Sequence, residues 1–195
     1  MSPRGVAITG VRERLFDAAE RILAREGPGG LTTRAVTGEA GCAKGVLHLH
    51  FADLDDFVAQ LVLHRFGLLA RQVEALPGRA GTGTVEDNLA TAAETLLDSP
   101  GPALAALALT RPGASARIRD AWERGEPGFD SVEAALADYL RAEQRTGRLP
   151  ADPGWSAPAV ALAVAGTTHH LLMTSGPGDP DPRQRIRDVI RALLP

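Results

Sequence analysis

Residues 31–51 read LTTRAVTGEAGCAKGVLHLHF, and this stretch decides the fold. Thr32 can begin a first short helix, because its hydroxyl can accept hydrogen bonds from the free N–H groups of the first turn. Gly41 can end that helix with a positive φ. We expect a second helix to begin at Lys44. Two short helices joined by a glycine-containing turn form a helix-turn-helix, and the second helix of that motif lies in the major groove of DNA.

Apolar residues in the same stretch give each helix a buried side. Val36 and Ala40 lie four residues apart, so they share one face of the first helix. Cys42, at the turn, is interpreted as a small apolar core residue rather than a redox sensor. The buried side of the second helix is expected to comprise Val46, Leu47 and Phe51.

With these residues, the stretch resembles the DNA-binding region of TetR-type (tetracycline-repressor-like) transcriptional regulators, in which an apolar helix precedes the pattern T-x-x-x-I-A-x-x-A-G-V-S-x-G-x-L-Y-x-Y-F-x-S-K-E-x-L. The matching positions are Thr32, Ala40, Gly41, Gly45, Leu47 and Phe51, with Val36 and Cys42 as close substitutes. The positions that depart are Ala43 (usually serine), His48 and His50 (usually aromatic phosphate contacts) and Leu54 (usually lysine). The resemblance is specific over about residues 11–57 and covers the rest of the chain in outline.

The resemblance implies which side chains contact DNA. Thr32 and Thr33 can offer hydroxyl and backbone N–H groups to a phosphate. Arg34 and Lys44 can reach phosphates or the O6 and N7 atoms of guanine. The ten residues expected at the DNA are Thr32, Thr33, Arg34, Ala43, Lys44, Gly45, Val46, His48, Leu49 and His50.

The composition favours an all-α protein. A chain of 195 residues with 44% hydrophobic and 23% charged residues can bury a core, and it is rich in the helix formers Ala, Leu, Arg and Glu. We predict about nine helices, with a three-helix helix-turn-helix head in residues 1–57 and a helical ligand-binding and dimerisation body in residues 58–195.

Other features of the sequence indicate a cytoplasmic protein. No apolar run is long enough to span a membrane, so no membrane partner is expected. Residues 1–10 lack the charged and apolar blocks of a signal peptide and are predicted to form a loose arm. The single cysteine cannot form an internal disulfide, which fits a reducing compartment.

Net charge argues only weakly against a nucleic-acid partner. The chain carries −3, and residues 1–57 hold seven basic and eight acidic side chains. Local distribution matters more, because Thr32–His50 contains Arg34 and Lys44 against only Glu39. Lys44 is also the only lysine in the chain.

Six residues of the body either line a ligand cavity or belong to its core, and the sequence leaves both readings open. His169 and His170 lie in an apolar helix, so at least one is expected to turn inward or toward a dimer partner and to find a hydrogen bond there. The six candidates are Trp122, Phe129, Tyr139, His169, His170 and Met173.

The last two helices predict a homodimer through Ser156–Thr174 and Gln184–Leu194. Small residues of the first of these, such as Ala161 and Ala165, are expected to form a smooth surface that a monomer would leave bare. The resemblance implies the same arrangement, since the last two long helices of TetR-type subunits pair into an intermolecular four-helix bundle.

No signal for a metal, a cofactor or catalysis is present. His48 and His50, or the adjacent His169 and His170, lack the spacing of ligands on a helix with a nearby cysteine or carboxylate. The chain has no phosphate-cradling glycine loop and no nucleophile elbow. We therefore expect no cofactor, no metal site and no enzymatic activity.

The resemblance implies a ligand-responsive dimeric regulator, a repressor that binds a palindromic double-stranded DNA operator and is released by a small-molecule effector. An alternative is a TetR-like small-molecule carrier or interaction protein that has lost operator binding. The departures at Ala43, His48, His50 and Leu54 favour that alternative.

Overall fold

The computed structural model describes residues 10–152, 154–176 and 178–195, so the arm expected at the N-terminus lies outside the described residues, apart from Gly10. Within them the chain forms ten α-helices, nine of which have seven or more residues, and no β-strand, which confirms the all-α prediction. The helices are α1 (Val11–Glu26), α2 (Thr33–Glu39), α3 (Val46–His50), α4 (Leu54–Glu74), α5 (Val85–Leu97), α6 (Gly101–Leu109), α7 (Pro112–Glu123), α8 (Phe129–Arg145), α9 (Ala157–Thr174) and α10 (Pro182–Leu193).

Side-chain caps fix where several helices begin. Each cap accepts a hydrogen bond from a backbone N–H of the first turn, which would otherwise lack a partner. For α4, the Asp56 N–H donates to Asp53 Oδ1 at 2.7 Å, and the Asp56 carboxylate accepts from the Ala52 N–H at 2.9 Å. The caps include Thr32, which the sequence predicts, and Asp53, Thr84 and Asp181.

The described chain forms two compact units. The first comprises α1 to α3, α4 as far as Val62, and Ala103–Asp120. The second comprises Leu63–Pro102 and Ala121–Pro195. A functional boundary at residue 57 stays a prediction.

Three phenylalanine rings form the centre of the first unit. Phe16 of α1 lies 5.7 Å from Phe51 and 5.6 Å from Phe57, and Phe51 meets Phe57 edge-on at 4.9 Å, all between ring centroids. All three side chains are buried. Edge-to-face packing of this kind adds to the stabilisation from area burial, and it anchors the residue that follows α3 to α1 and α4.

The core of the second unit lies between α5, α8, α9 and α10. Ala161 is 0% exposed and Ala165 is 8% exposed, and both belong to this core. The prediction that these two residues form a bare surface is therefore wrong. Their small side chains instead face the chain's own helices, with which α9 packs.

Arginines of α10 tie this helix to α5. Arg187 lies 2.8 Å from Glu94, and Arg191 lies 2.7 Å from Glu86. Arg183 pairs with Asp98. These arginine side chains remain partly exposed, but they also pair with the acidic face of α5.

Helix α6 is less buried than its apolar sequence predicts. Leu104 and Leu107 are buried, whereas Leu109 is 80% exposed. An apolar side chain at nearly every position of a nine-residue helix cannot find cover on all sides when only one side packs inward.

No helix among the described residues is long and apolar enough to cross a lipid bilayer.

Candidate functional site

The turn after α2 has the hydrogen bonds of a glycine-terminated helix. Gly41 has φ +63°, as its position after the helix requires. The Cys42 N–H donates to the Thr37 carbonyl at 2.8 Å, which closes the last turn. The Cys42 side chain is half-buried at this turn rather than fully buried.

Helix α3 is short and exposes most of its surface. It begins at Val46, two residues after the predicted start at Lys44. Leu47 is fully buried and Val46 only partly so. Because consecutive helical residues are rotated by about 100°, Leu49 points almost directly away from the buried Leu47.

Two arginines of α1 contact the ends of the two short helices, α2 and α3. The Arg12 guanidinium lies 4.6 Å from the centroid of the Phe51 ring and donates to the His50 carbonyl at 3.3 Å. Arg14 donates to the Ala40 carbonyl at 2.8 Å. The sequence did not indicate these contacts, because a helix periodicity shows which side of α1 is polar but not what that side meets.

All ten residues expected at the DNA lie on the accessible surface of α2, the turn and α3. Thr33 and Val46 are half-buried, and the other eight are exposed. Leu49 is the most accessible large apolar side chain among them, at 80% exposure. The exposed members are Thr32, Arg34, Ala43, Lys44, Gly45, His48, Leu49 and His50.

The carboxylate nearest to this surface in sequence is neutralised by its neighbours. Glu39 lies 2.8 Å from Arg21 and 3.2 Å from Arg25, and the hydrogen bond from Arg21 is the main cause that lowers the pKa of the Glu39 carboxyl. Within the described residues, Arg34 and Lys44 form no ion pair with a carboxylate. The surface of α2 and α3 is therefore locally positive.

Two further carboxylates at the start of α4 are held by arginines from distant sequence. Arg117 of α7 approaches Asp53 with two nitrogens, at 2.9 and 3.2 Å. Arg111, just before α7, lies 3.0 Å from Asp55. All four residues belong to the first compact unit.

Three of the six ligand candidates come together in the second unit around a ring that the sequence did not single out as a candidate. Phe66 of α4 lies 4.9 Å from Phe129 and 6.3 Å from Trp122, and His169 meets Phe129 edge-on at 4.7 Å. Trp122 and Phe129 are each 41% exposed. We refer to Phe66, Trp122, Phe129 and His169 as the aromatic cluster.

The other three candidates lie elsewhere. Tyr139 is fully buried, ten residues or about 15 Å along α8 from Phe129. Its hydroxyl accepts a hydrogen bond from Asn88 Nδ2 at 3.0 Å, and its burial, with a hydrogen bond to Glu143, raises the Tyr139 pKa well above its ordinary value. His170 and Met173 are exposed on α9. Neither His169 nor His170 is turned into the core.

A cavity of about 210 Å³ lies in the second unit between the end of α4 and α5. Gln72, Leu76, Asn88 and Thr95 are among its lining residues, and none of the six ligand candidates lines it. No group of three or more histidine, cysteine or acidic residues among those described is arranged to hold a metal ion.

Residues 15–61 match the family of bacterial regulatory proteins described as the tetR family. No curated protein matches the chain in sequence.

Several solved structures share the fold. A protein from Mesorhizobium loti described as a TetR-family transcriptional regulator is 16% identical, with a TM-score of 0.71 over 97% of this chain and 95% of its own. A transcriptional regulator from Saccharomonospora viridis, in complex with choline, is 19% identical, with a TM-score of 0.71 over 95% and 98% of the two chains. The transcriptional regulator FadR from Bacillus subtilis, in complex with stearoyl-CoA, is 16% identical, with a TM-score of 0.65 over 93% and 97%.

Proposed function

We propose that the chain, whose residues 15–61 match the tetR family of bacterial regulatory proteins, is a ligand-responsive dimeric transcriptional repressor. It binds a palindromic double-stranded DNA operator and is released by a small-molecule effector. It works in the cytoplasm as a binding protein without catalytic activity.

The observation that carries this proposal is the exposed surface of α2 and α3. It presents Arg34 and Lys44 without competing carboxylates, while Glu39 is held by Arg21 and Arg25. Positive side chains neutralise phosphates and so release the counterions that surround DNA. This release supplies the sequence-independent part of the affinity for DNA. The adjacent exposed histidines can donate hydrogen bonds to phosphates through their ring N–H groups.

A second copy of the chain supplies the second recognition helix. An outward stripe on α9 has the alternating spacing of three and four residues that lets helices of two subunits interlock. Leu162 is 58% exposed and Met173 is 40% exposed on this stripe. We propose that α9 pairs with its copy along this side, with α10 beside it. The residues of the stripe are Ala159, Leu162, Gly166, His169 and Met173.

The aromatic cluster is the proposed effector-binding region, with Tyr139, His170 and Met173 kept as further candidates. Partly exposed aromatic rings offer apolar area to a small molecule. The two bound molecules of the structural neighbours, choline and stearoyl-CoA, differ so much in size and charge that neither identifies the effector of this chain.

Repression and release follow from a shift between two states. In the DNA-competent state the two α3 helices lie about 34 Å apart, one turn of DNA. A second state has a different distance between the two α3 helices. An effector that binds this second state more tightly than the DNA-competent state shifts the dimer toward it, and the operator is released. Helix α4 connects the first compact unit to the second, so it is the element proposed to carry the change.

The test is a gel-shift titration of the protein with the DNA upstream of its own gene. Lys44→Ala should abolish the preference for this DNA over a random duplex, because the only lysine of the chain is exposed in the turn two residues before α3. Arg145→Ala, which removes an exposed cation from α8, is the matched control and should bind as the unchanged protein does. Full selectivity in Lys44→Ala would contradict the placement of the interface.

A second candidate function is a small-molecule carrier that no longer binds an operator. The exposed Ala43, which offers no hydroxyl to a phosphate, favours it. Absence of any preferred duplex in the same titration, together with small-molecule binding by the second unit, would favour the carrier.

A further inference from the structure

Leu49 occupies an unusual position for a leucine. It is 80% exposed in the middle of α3, on the side opposite the buried Leu47. A large aliphatic side chain gains nothing from contact with water, and burying it is favourable roughly in proportion to its apolar area. In the first unit Leu109 is equally exposed, but only Leu49 lies within the surface proposed to meet DNA.

The surroundings of Leu49 fit a duplex better than an apolar protein partner. Its immediate neighbours His48 and His50 are exposed, and so is Lys44, which lies in the turn two residues before α3 begins. These side chains carry or can acquire positive charge, and the nearby Glu39 is paired with Arg21. A lone apolar side chain beside one cation and two histidines complements a surface that has phosphates at its edges and one apolar group within it.

The major groove of DNA has that combination. Phosphates line its edges, and the C5-methyl group of thymine is the apolar group on its floor. No other base offers a leucine an equivalent contact. Because Leu49 points directly outward from α3, it enters the groove as deeply as any residue of this helix when α3 docks.

We propose that Leu49 packs against the C5-methyl group of one thymine in each operator half-site and so determines specificity at that position. This inference rests on the proposed DNA-binding function. It adds the identity of a base and of the atom that is read.

The experiment begins by selecting preferred duplexes from a random pool with the full-length protein. Each thymine of the selected duplex is then replaced by uracil, which keeps the base pair and removes only the methyl group. One position per half-site should show weaker binding, by roughly fourfold for the loss of one buried methyl contact and about fifteenfold when both half-sites are changed. Uracil at the other positions should leave affinity unchanged.

Leu49→Ala should bind the thymine and uracil duplexes equally, because the side chain that reads the methyl group is gone. Leu109→Ala, a matched change at the same exposure, should keep the full uracil penalty. Selection of duplexes without any dependence on thymine methyl groups would overturn the inference and leave DNA binding intact. So would a Leu49→Ala protein that retains the uracil penalty, or one that changes only self-association in sedimentation. If no duplex is selected at all, the proposed function fails, and this inference fails with it.

Discussion

Replacing Leu162 by glutamate should separate the proposed dimer without unfolding the subunit. Leu162 is 58% exposed on the outward stripe of α9. Full burial of a leucine is worth roughly 1.5–3 kcal/mol, so covering the 58% that is exposed contributes about 0.9–1.7 kcal/mol per side chain. A twofold interface contains the residue twice. The loss therefore amounts to about 2–3.5 kcal/mol, which raises the dimer dissociation constant roughly 30- to 400-fold.

The neighbouring residue gives the contrasting result. Ala161 is 0% exposed and lies in the core of the second unit. A carboxylate at this position would be taken out of water without a partner, which destabilises a fold by several kcal/mol. Ala161→Glu should therefore yield unfolded or insoluble protein, whereas Leu162→Glu should yield folded monomers.

Sedimentation equilibrium measures the dissociation constant, and thermal melting followed by circular dichroism measures the fold. Ala134→Glu places the same charge on the exposed side of α8 and should change neither quantity. A Leu162→Glu protein with an unchanged dissociation constant would refute the assignment of the α9 stripe. A stable, soluble Ala161→Glu monomer would refute the orientation of α9.

Three other changes have defined outcomes. Tyr139→Phe removes the hydroxyl that Asn88 donates to and should lower the free energy of unfolding by about 1–2 kcal/mol, or the melting temperature by roughly 2–8 °C, as denaturant and thermal unfolding can measure. Leu54→Lys should tighten binding to specific and random duplexes alike and steepen the dependence of log affinity on log salt by about one phosphate equivalent. The hydrogen bond from the backbone N–H of Asp56 is the main cause that lowers the pKa of the Asp53 carboxyl. The ionised Asp53 therefore stabilises the folded state at pH values above the ordinary aspartate pKa. This stabilisation is lost as the pH falls through the lower pKa of the folded state. Asp53→Asn should therefore flatten the acid limb of stability measured against pH.

The local part of the fold could be predicted from the sequence, because its causes lie within a few residues. The Thr32 hydroxyl caps α2 by accepting a hydrogen bond from the backbone N–H of Ala35, three residues later. Gly41 ends the same helix because the turn needs a positive φ. Apolar spacing is a local cause of the same kind, since Leu136 and Leu140 of α8 lie one turn apart and are both buried.

Orientation between helices could not be predicted in the same way. The run of small residues in α9 indicated close approach by another helix, but it did not say whether that helix belongs to the same chain or to a partner. Ala161 meets the chain's own core, while Leu162, one residue on, is turned outward. A rotation of about 100° along the helix separates the two environments.

The accessibility of the candidate DNA-facing residues could be predicted from the sequence, but the contacts among the ligand candidates could not. The ten residues expected at the DNA are on accessible surface, since a helix-turn-helix leaves that side uncovered. The aromatic cluster was only partly anticipated, because Phe66 reads in sequence as an inward residue of α4 and its contact with Phe129 spans 63 positions. Composition identifies candidate residues, but long-range packing decides which of them meet.

The first compact unit has a different charge balance from residues 1–57 alone. Residues 1–57 hold seven basic and eight acidic side chains, which reads as unfavourable for a polyanion. The first compact unit also includes Ala103–Asp120, and its sequence holds ten basic and nine acidic side chains. Two of the added arginines, Arg111 and Arg117, pair with Asp55 and Asp53.

Two of the three carboxylates at the start of α4, those of Asp53 and Asp55, are thus already paired with arginines of the same unit. Opposite charges within about 4 Å reduce the field that either presents to a phosphate farther away. Asp53 and Asp55 therefore repel DNA less than their sequence suggests, and the missing lysine at Leu54 removes one attraction without leaving strong repulsion in its place. The departures at Ala43, His48 and His50 replace polar or aromatic contacts without adding negative charge. For these reasons the charge distribution favours the DNA-binding regulator over the carrier.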